Sequence, residues 1–187
     1  MEQRNALALA HRFLREQVAP GAFCIDATAG RGRDTLFLCR LVGEGGRVLA
    51  LDVQGQAVEA TRALLAQEGV TNAAIVQDGH QHLSAYAAPG SVDAIVFNLG
   101  WLPGGDHSIR TTADTTVPAL EQSLRLLKPG GVLSLCLYYG GVSGYEERDR
   151  VLDWLSRVDQ QEYTVLVSQF VNRTGDPPIP VFIWKGF

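Results

Sequence analysis

The sequence is poor in the features that mark several protein classes. It has no apolar run approaching the roughly eighteen residues of a membrane-spanning helix, and the segment 1–18 carries charges throughout, unlike a secretory signal. Its three cysteines include no Cys-x-x-Cys pair. Cys24 and Cys136 fall in predicted buried strands, where we expect small apolar packing rather than a disulfide or a metal site. We therefore expect a cytoplasmic protein with no membrane partner and no metal.

A strong positive charge is also missing, since the formal net charge is -4 at pH 7. This balance argues against binding to nucleic acid through overall charge, although a local basic surface would still be compatible with it. Arginines recur on the first predicted helix and in or near predicted loops: Arg4, Arg12, Arg15, Arg31, Arg33 and Arg110. Scattered arginines are most often solvated surface residues, so charge alone leaves a basic binding patch open.

What the sequence does contain is a regular alternation of two hydrophobic periodicities. Helical spacing predicts helices over 3–18, 34–42, 55–69, 113–127 and 144–158. Short apolar runs predict strands over 22–26, 47–52, 73–77, 93–98, 131–139, 163–170 and 180–186.

This order of elements predicts the fold class. Continuous apolar strands that alternate with helices indicate a parallel sheet covered on both faces. The link "VNRTGDPPI" between the last two strands is too short for a crossover helix and suits an antiparallel return. We therefore predict one doubly wound, Rossmann-like α/β domain spanning 1–187, with an N-terminal helix within 1–20. Its seven-stranded sheet should be mostly parallel, with an antiparallel last strand.

In such a sheet, ligands bind outside the carboxyl ends of the strands. The first strand runs into "DATAGRGRDT", where Gly30 and Gly32 allow a tight turn and a close approach of the backbone to a ligand. Thr35 stands where a dinucleotide-binding Gly-x-Gly-x-x-Gly motif has its third glycine. The Asp26 carboxylate would repel a pyrophosphate and would suit a cationic or hydroxyl-bearing ligand. A glycine turn without any ligand is the alternative.

The second and third strands also end in polar residues. Asp52 can accept hydrogen bonds from both hydroxyls of an adenosine ribose, or can cap the helix that follows. Asp78, Gly79 and His80 would border the adenine. His80 and His82 are also compatible with ordinary surface positions, and two histidines without a third ligand do not predict a metal site.

The fourth strand runs into "NLGWLPGGDHS", which is unusually rich for a loop. Asn98 ends the strand, and its carboxamide can accept a hydrogen bond from an amine. The Trp101 ring can hold a flat base or a cation, although packing against the sheet edge is its plain alternative. Asp106 follows two glycines and is equally compatible with an Asx-type turn.

Together these motifs resemble class I S-adenosylmethionine-dependent methyltransferases over nearly the whole chain. "DATAGRG" resembles their glycine loop, Asp52 their ribose-binding acid, and "LKPGGVL" the turn before their fifth strand. Asn98-x-x-Trp101 is similar to the [DNS]-P-P-[YFW] element of amine-directed members, with Leu99-Gly100 in place of the prolines.

A narrower resemblance rests on "DATAGRGRDT", "FNLGWLPGGDHSI", "YYGGVSGYEE" and "DPPI". These strings resemble a family first described as rRNA methylases and now associated with methylation of 5-aminomethyl-2-thiouridine at the tRNA wobble position. The chain departs from the family pattern at Arg31, where Asn is usual, at Trp101 (Tyr) and at His107 (Lys). Tyr139 and Gly141 stand at two positions where the family has histidines.

The resemblance implies S-adenosylmethionine as the cofactor, held by residues at the ends of the first four strands. These are Asp26, Thr28, Gly30, Arg31, Gly32, Asp34, Thr35, Asp52, Val53, Gln54, Asp78, Gly79, His80, Asn98, Leu99 and Gly100.

The resemblance also implies a catalytic set of Asn98, Trp101, Asp106 and Tyr139. Asn98 would orient an amine through its carbonyl oxygen, and Trp101 would stack on the base or line the transfer channel. Asp106, Tyr139 and also His107 would accept a proton or relay it to water. Tyr138 and Tyr139 should point to opposite faces of a strand, and we expect Tyr139 to face the cleft.

The implied partner is the anticodon region of tRNA, read as a splayed-out base stacked on an aromatic ring and clamped by a few arginines. A homodimer would widen this small footprint. The alternatives are a small-molecule methyltransferase, which the negative charge favours, an rRNA methyltransferase and a non-catalytic S-adenosylmethionine-binding module. A nicotinamide dehydrogenase is disfavoured by Asp26 and Thr35.

Overall fold

The computed structural model describes residues 5–100, 110–140 and 144–186. The helices are α1 (Ala6–Gln17), α2 (Arg33–Val42), α3 (Gly55–Gln67), α4 (Ala113–Leu126) and α5 (Gly144–Leu155). The strands are β1 (Phe23–Asp26), β2 (Arg47–Asp52), β3 (Ala73–Gln77), β4 (Val92–Leu99), β5 (Leu127–Leu137), β6 (Tyr163–Val167) and β7 (Ile179–Lys185). Each predicted helix and strand is present, and the sequence did not predict the short 3-10 helix His80–Ala85.

The strands form one seven-stranded sheet in the order β3-β2-β1-β4-β5-β7-β6. Strands β1 to β5 pair in parallel, whereas β7 is antiparallel to both β5 and β6. The predicted doubly wound α/β fold with an antiparallel last strand is therefore confirmed. Because the chain runs from β1 to β2 on one side and resumes at β4 on the other, the switch point lies between β1 and β4.

The two faces of the sheet bury separate apolar clusters. Phe97 belongs to the cluster under α4 and α5, whereas Cys24 and Val96 belong to the cluster under α1 and α2. Side chains alternate along a strand. Asp26, two residues after Cys24, and Asn98, two residues after Val96, therefore project on the face that α1 and α2 cover.

Helix α1 lies across this face and packs on β5 and β7. The side chain of Asn5 caps its N-terminus by accepting a hydrogen bond from the backbone N–H of Ala8 at 2.8 Å. Phe13 packs on the rings of Phe182 and Trp184, at centroid distances of 4.5 and 5.1 Å. Among the described residues, no helix is both long and apolar enough to cross a membrane.

Candidate active site

The glycine loop after β1 takes a backbone shape that only glycine adopts easily. Gly30 and Gly32 have φ angles of 54° and 77°, in the left-handed region. The backbone N–H of Gly30 donates to the Asp52 carboxylate at 2.8 Å. A Cβ atom at Gly32 would lie 2.9 Å from the Cα atom of Thr61 on α3. The predicted tight turn is confirmed, and it leaves Arg31 exposed between the two glycines.

Asp26 supports this loop from beneath. Its side chain is fully buried and accepts hydrogen bonds from the Thr35 hydroxyl at 2.6 Å and from the Thr28 backbone N–H at 3.2 Å. Burial, and to a lesser extent the nearby Asp34 carboxylate, raise the pKa of this carboxyl to about 7. This placement differs from the expectation that Asp26 faces a ligand, because the carboxylate has no exposed surface. Thr35 is likewise buried and holds Asp26.

Asp52 is half-buried at the end of β2, and each of its oxygens already accepts a backbone N–H. These donors are Gly30 at 2.8 Å and Gln54 at 2.9 Å. A carboxylate oxygen accepts more than one hydrogen bond, so Asp52 can still accept the ribose hydroxyls. Gln54 is the N-cap of α3, so Asp52 forms an Asx-type turn rather than the cap. The adjacent Val53 side chain is 51% exposed and offers an apolar surface.

The residues after β3 divide into an exposed and a buried group. Asp78 accepts hydrogen bonds from Tyr86 and His82, which lower the pKa of its carboxyl to about 2. His80 is buried at the edge of the Phe97 ring, and burial lowers its pKa to about 4. The described residues hold no group of three or more His, Cys, Asp or Glu side chains suited to a metal ion.

Asn98 lies at the centre of the switch point. Its backbone N–H donates to the Thr28 hydroxyl at 2.7 Å, which joins the ends of β4 and β1. Its side-chain Nδ2 donates to Oδ2 of Asp34 at 2.6 Å. Because an ionised carboxylate only accepts hydrogen bonds, the amide nitrogen must face Asp34 and the amide oxygen must face away. The site therefore presents Oδ1 of Asn98 as an acceptor, as an amine substrate would require.

His11, on α1, is a site residue that the sequence did not predict. Its Nε2 atom lies 2.7 Å from Oδ1 of Asp34, so the Asp34 carboxylate joins His11 to Asn98. The imidazole also stacks on the Phe37 ring, with a centroid distance of 3.9 Å and an interplanar angle of 6°. The sequence motifs gave no signal for this contact, because Asp34 lies 23 residues away on another helix.

The base of the loop after β4 is closed by a buried polar network. Two hydrogen bonds join Gly100 and Thr111. The Thr111 N–H donates to the Gly100 carbonyl at 3.0 Å, and the Gly100 N–H donates to the Thr111 hydroxyl at 2.8 Å. Glu147 accepts the hydroxyls of Thr111 at 2.8 Å and Thr116 at 2.6 Å. Burial raises the pKa of this glutamate. Leu99 is buried, so only its backbone is available to a cofactor.

Three of the candidate catalytic or proton-relay residues, Trp101, Asp106 and His107, lie outside the described residues. Their roles stay predictions.

The two tyrosines after β5 are placed differently from our expectation. Tyr138 is 40% exposed and lies on the same face of the sheet as Asn98. It is close to Gly100, since a Cβ atom added to Gly100 would lie 3.2 Å from the Cβ atom of Tyr138. Tyr139 packs instead towards α5, with its ring 5.8 Å from the Tyr145 ring. The register explains the difference, since Asn98 pairs with Cys136, two residues before Tyr138. Tyr138 rather than Tyr139 shares the face of Asn98.

Comparison with known proteins assigns the family. A family model described as "Putative rRNA methylase" matches residues 48–184. The chain belongs to this family. It is 35% identical over 193 residues to the tRNA (mnm(5)s(2)U34)-methyltransferase, chloroplastic, of Arabidopsis thaliana, covering 98% of this chain and 70% of that protein.

Two solved structures of similar proteins extend this result. The crystal structure of a "putative rRNA-methylase" from Clostridium thermocellum has a TM-score of 0.96 and 40% identity, covering 99% of this chain and 100% of that one. That of SMU.1697c, a "putative methyltransferase" from Streptococcus mutans in complex with SAH, has a TM-score of 0.89 and 38% identity, covering 99% of both chains. The prediction of an S-adenosylmethionine-dependent methyltransferase is confirmed.

The strand ends of this rRNA methylase family member fit S-adenosylmethionine. At the end of β2, the half-buried Asp52 carboxylate, a hydrogen-bond acceptor, lies next to the exposed apolar side chain of Val53. The glycine loop after β1 keeps its tight turn only with glycine at position 32, because a side chain there would collide with α3. The individual contacts of the predicted cofactor-binding residues stay predictions.

Proposed function

We propose that the protein methylates the primary amine of 5-aminomethyl-2-thiouridine at the wobble position of tRNA. The observation that carries the proposal is the orientation of Asn98, whose amide oxygen is turned away from Asp34 at the carboxyl end of β4. An acceptor oxygen at this place suits a substrate that donates an N–H. The similarity to the Arabidopsis tRNA methyltransferase supports the choice of substrate.

The bound S-adenosylmethionine supplies a methyl group on a positively charged sulfur. Oδ1 of Asn98 accepts one N–H of the substrate amine and so directs the nitrogen lone pair along the line of attack. As the new N–C bond forms, the S–C bond would break with its electron pair going to sulfur, which leaves an uncharged thioether and a methylated ammonium group that keeps its protons at neutral pH. A free alkylamine resembles lysine, with a pKa of about 10.4, so the amine must lose a proton before it attacks.

The described tyrosine beside Asn98 is a poor base for that proton. Burial raises the pKa of Tyr138 to about 12, so its phenol stays protonated at neutral pH. A protonated phenol can donate a hydrogen bond or stack on a base, but it does not accept the proton of an ammonium group. Proximity and orientation can supply much of the rate enhancement, up to about 7–11 kcal/mol for well-placed reactants.

Exposed aromatic rings and arginines near the end of β5 favour an RNA substrate. The rings of Tyr138 and Tyr145 are exposed there, and the Arg148 guanidinium lies 4.9 and 5.0 Å from the centroids of the Tyr139 and Tyr145 rings. Arg110 is exposed at the end of the same loop that leaves Gly100. Aromatic rings beside arginines suit a flipped-out base and its flanking phosphates. The net charge of -4 is consistent with a small footprint.

The test is mass spectrometry of nucleosides from tRNA that carries the unmethylated aminomethyl group, after incubation with the protein and methyl-labelled S-adenosylmethionine. We expect label in 5-methylaminomethyl-2-thiouridine. Asn98→Ala should lower kcat by about a hundredfold, since removal of one well-placed polar group at a reaction centre has that order of effect.

Asn72→Ala is the matched control. The Asn72 amide likewise donates hydrogen bonds to α2, but its acceptors are the backbone carbonyls of Cys39 and Gly43 at the opposite end of that helix. The Asn72→Ala substitution should lower the free energy of unfolding and leave kcat of the folded protein unchanged. Label in rRNA or in a small amine, with none in this tRNA, would refute the proposal.

A further inference from the structure

We propose that His11 is a positioning residue for methyl transfer, which acts through Asp34 to keep the amide oxygen of Asn98 turned towards the acceptor amine. The inference rests on the proposed function, because it assigns a role in the same site. It concerns a residue on α1 that no sequence motif indicated.

The Asp34 carboxylate is held by two partners. Oδ1 lies 2.7 Å from Nε2 of His11, and Oδ2 accepts the amide N–H of Asn98 at 2.6 Å. The Asp34 side chain is only 12% exposed, so water has little access to replace either partner. The terminal torsion of an aspartate is soft. Two partners on separate elements, α1 and β4, therefore fix the plane of the carboxylate, and one partner alone would not.

His11 is itself held in place by α2. Its ring lies flat on Phe37, which is three residues after Asp34 and so on the same face of α2. The stacking and the hydrogen bond thus fix the imidazole in two directions.

The contact between His11 and Asp34 is separate from the packing that docks α1 on the sheet. The helix already buries Ala6, Ala10, Phe13 and Leu14, and Phe13 packs on two aromatic rings of β7. The polar contact of His11 is therefore not needed to hold α1 on the sheet. Its consequence lies at Asn98, because a flipped carboxamide would face the amine with N–H donors instead of an acceptor.

The variants follow from this geometry. His11→Leu removes the donor to Asp34 at a similar volume, whereas His11→Gln can keep an N–H donor to the carboxylate. Gln17→Leu is the matched control, since it removes another polar contact of α1, the bond from Trp184 Nε1 to Gln17 at 3.2 Å, away from Asp34.

The first readout needs no substrate. In 15N-labelled protein, the side-chain NH2 signals of Asn98 are identified by their loss in Asn98→Ala. We expect these signals to shift and to exchange faster with water in His11→Leu, and to stay as in the wild type in His11→Gln and Gln17→Leu. Unchanged Asn98 signals in His11→Leu would overturn the inference, whatever the enzyme methylates.

The second readout is turnover with the acceptor that the wild type methylates. His11→Leu should lower kcat by about tenfold, as expected for loss of a hydrogen bond to a charged group, and His11→Gln should restore most of it. In the Asn98→Ala background, His11→Leu should cause no further loss. Additive losses, or a wild-type rate in His11→Leu, would overturn the inference. No methylation of the aminomethyl tRNA by the wild type would instead count against the proposed function.

Discussion

The stability of the protein should depend on pH through Asp26. Burial raises the pKa of this carboxyl from 3.8 to about 7 in the folded protein. Because the folded-state pKa lies above the unfolded one, the contribution of Asp26 to stability is fully present below about pH 4. It is lost as the pH rises to about 7 and is constant above that. A pKa difference of about three corresponds to a loss of up to about 4 kcal/mol.

Asp26→Asn removes the titration and keeps the shape. The amide oxygen can accept the Thr28 N–H, and the Thr35 hydroxyl can turn to accept from the amide nitrogen. The free energy of unfolding in urea, followed by circular dichroism between pH 4.5 and 8, should fall with pH in the wild type. Between these limits the variant should gain on the wild type by up to about 3 kcal/mol.

Asp78→Asn is the control, because the pKa of Asp78 is shifted in the opposite direction from that of Asp26. Hydrogen bonds from Tyr86 and His82 lower the pKa of Asp78 to about 2, so its contribution is lost only in more acidic solution. Curves for the wild type and Asp26→Asn that stay parallel from pH 4.5 to 8 would refute the reasoning.

Two further predictions concern the rim of the site. Glu147→Ala should lower the free energy of unfolding by about 2–4 kcal/mol, because the Thr111 and Thr116 hydroxyls lose a buried acceptor. Glu147→Gln should cost less than about 1 kcal/mol, since the Thr116 hydroxyl can turn to accept from the new amide; equal losses in urea unfolding would contradict this. Tyr138→Ala should lower kcat/KM on tRNA by roughly 5- to 150-fold if it stacks on the base. Tyr139→Ala should lower mainly the melting temperature, and the reverse pattern would restore our first expectation for Tyr139.

The fold could be predicted almost completely because the apolar pattern repeats in each element. Strands β2 and β3 have the predicted bounds, 47–52 and 73–77, since each is an apolar run bounded by turn residues. The antiparallel β7 followed from the short link alone. The short 3-10 helix over His80–Ala85 was missed because it has too few residues to show a period.

The site was predicted less completely because sequence shows which residues end a strand but not what they bond to. Asp26 was expected to face a ligand, yet it lies under the loop, where Thr35 holds it. The choice between Tyr138 and Tyr139 depended on the register of β5, which is set by pairing with β4 rather than by local sequence. His11 could not be found from motifs, because its partner Asp34 is 23 residues away on another helix.

The acidic residues of the site have the same kind of hydrogen bonding, and this limits which of them could act as a base. Asp26, Asp34, Asp52 and Glu147 each accept two hydrogen bonds, and each joins two separate parts of the chain. A carboxylate engaged in this way holds backbone and side chains in position and is a poor candidate for a mobile general base. Within the described residues, these acids would therefore help to orient the proposed amine substrate rather than deprotonate it. It follows that the amine should reach Asn98 already neutral, or lose its proton to water or to the segment 101–109.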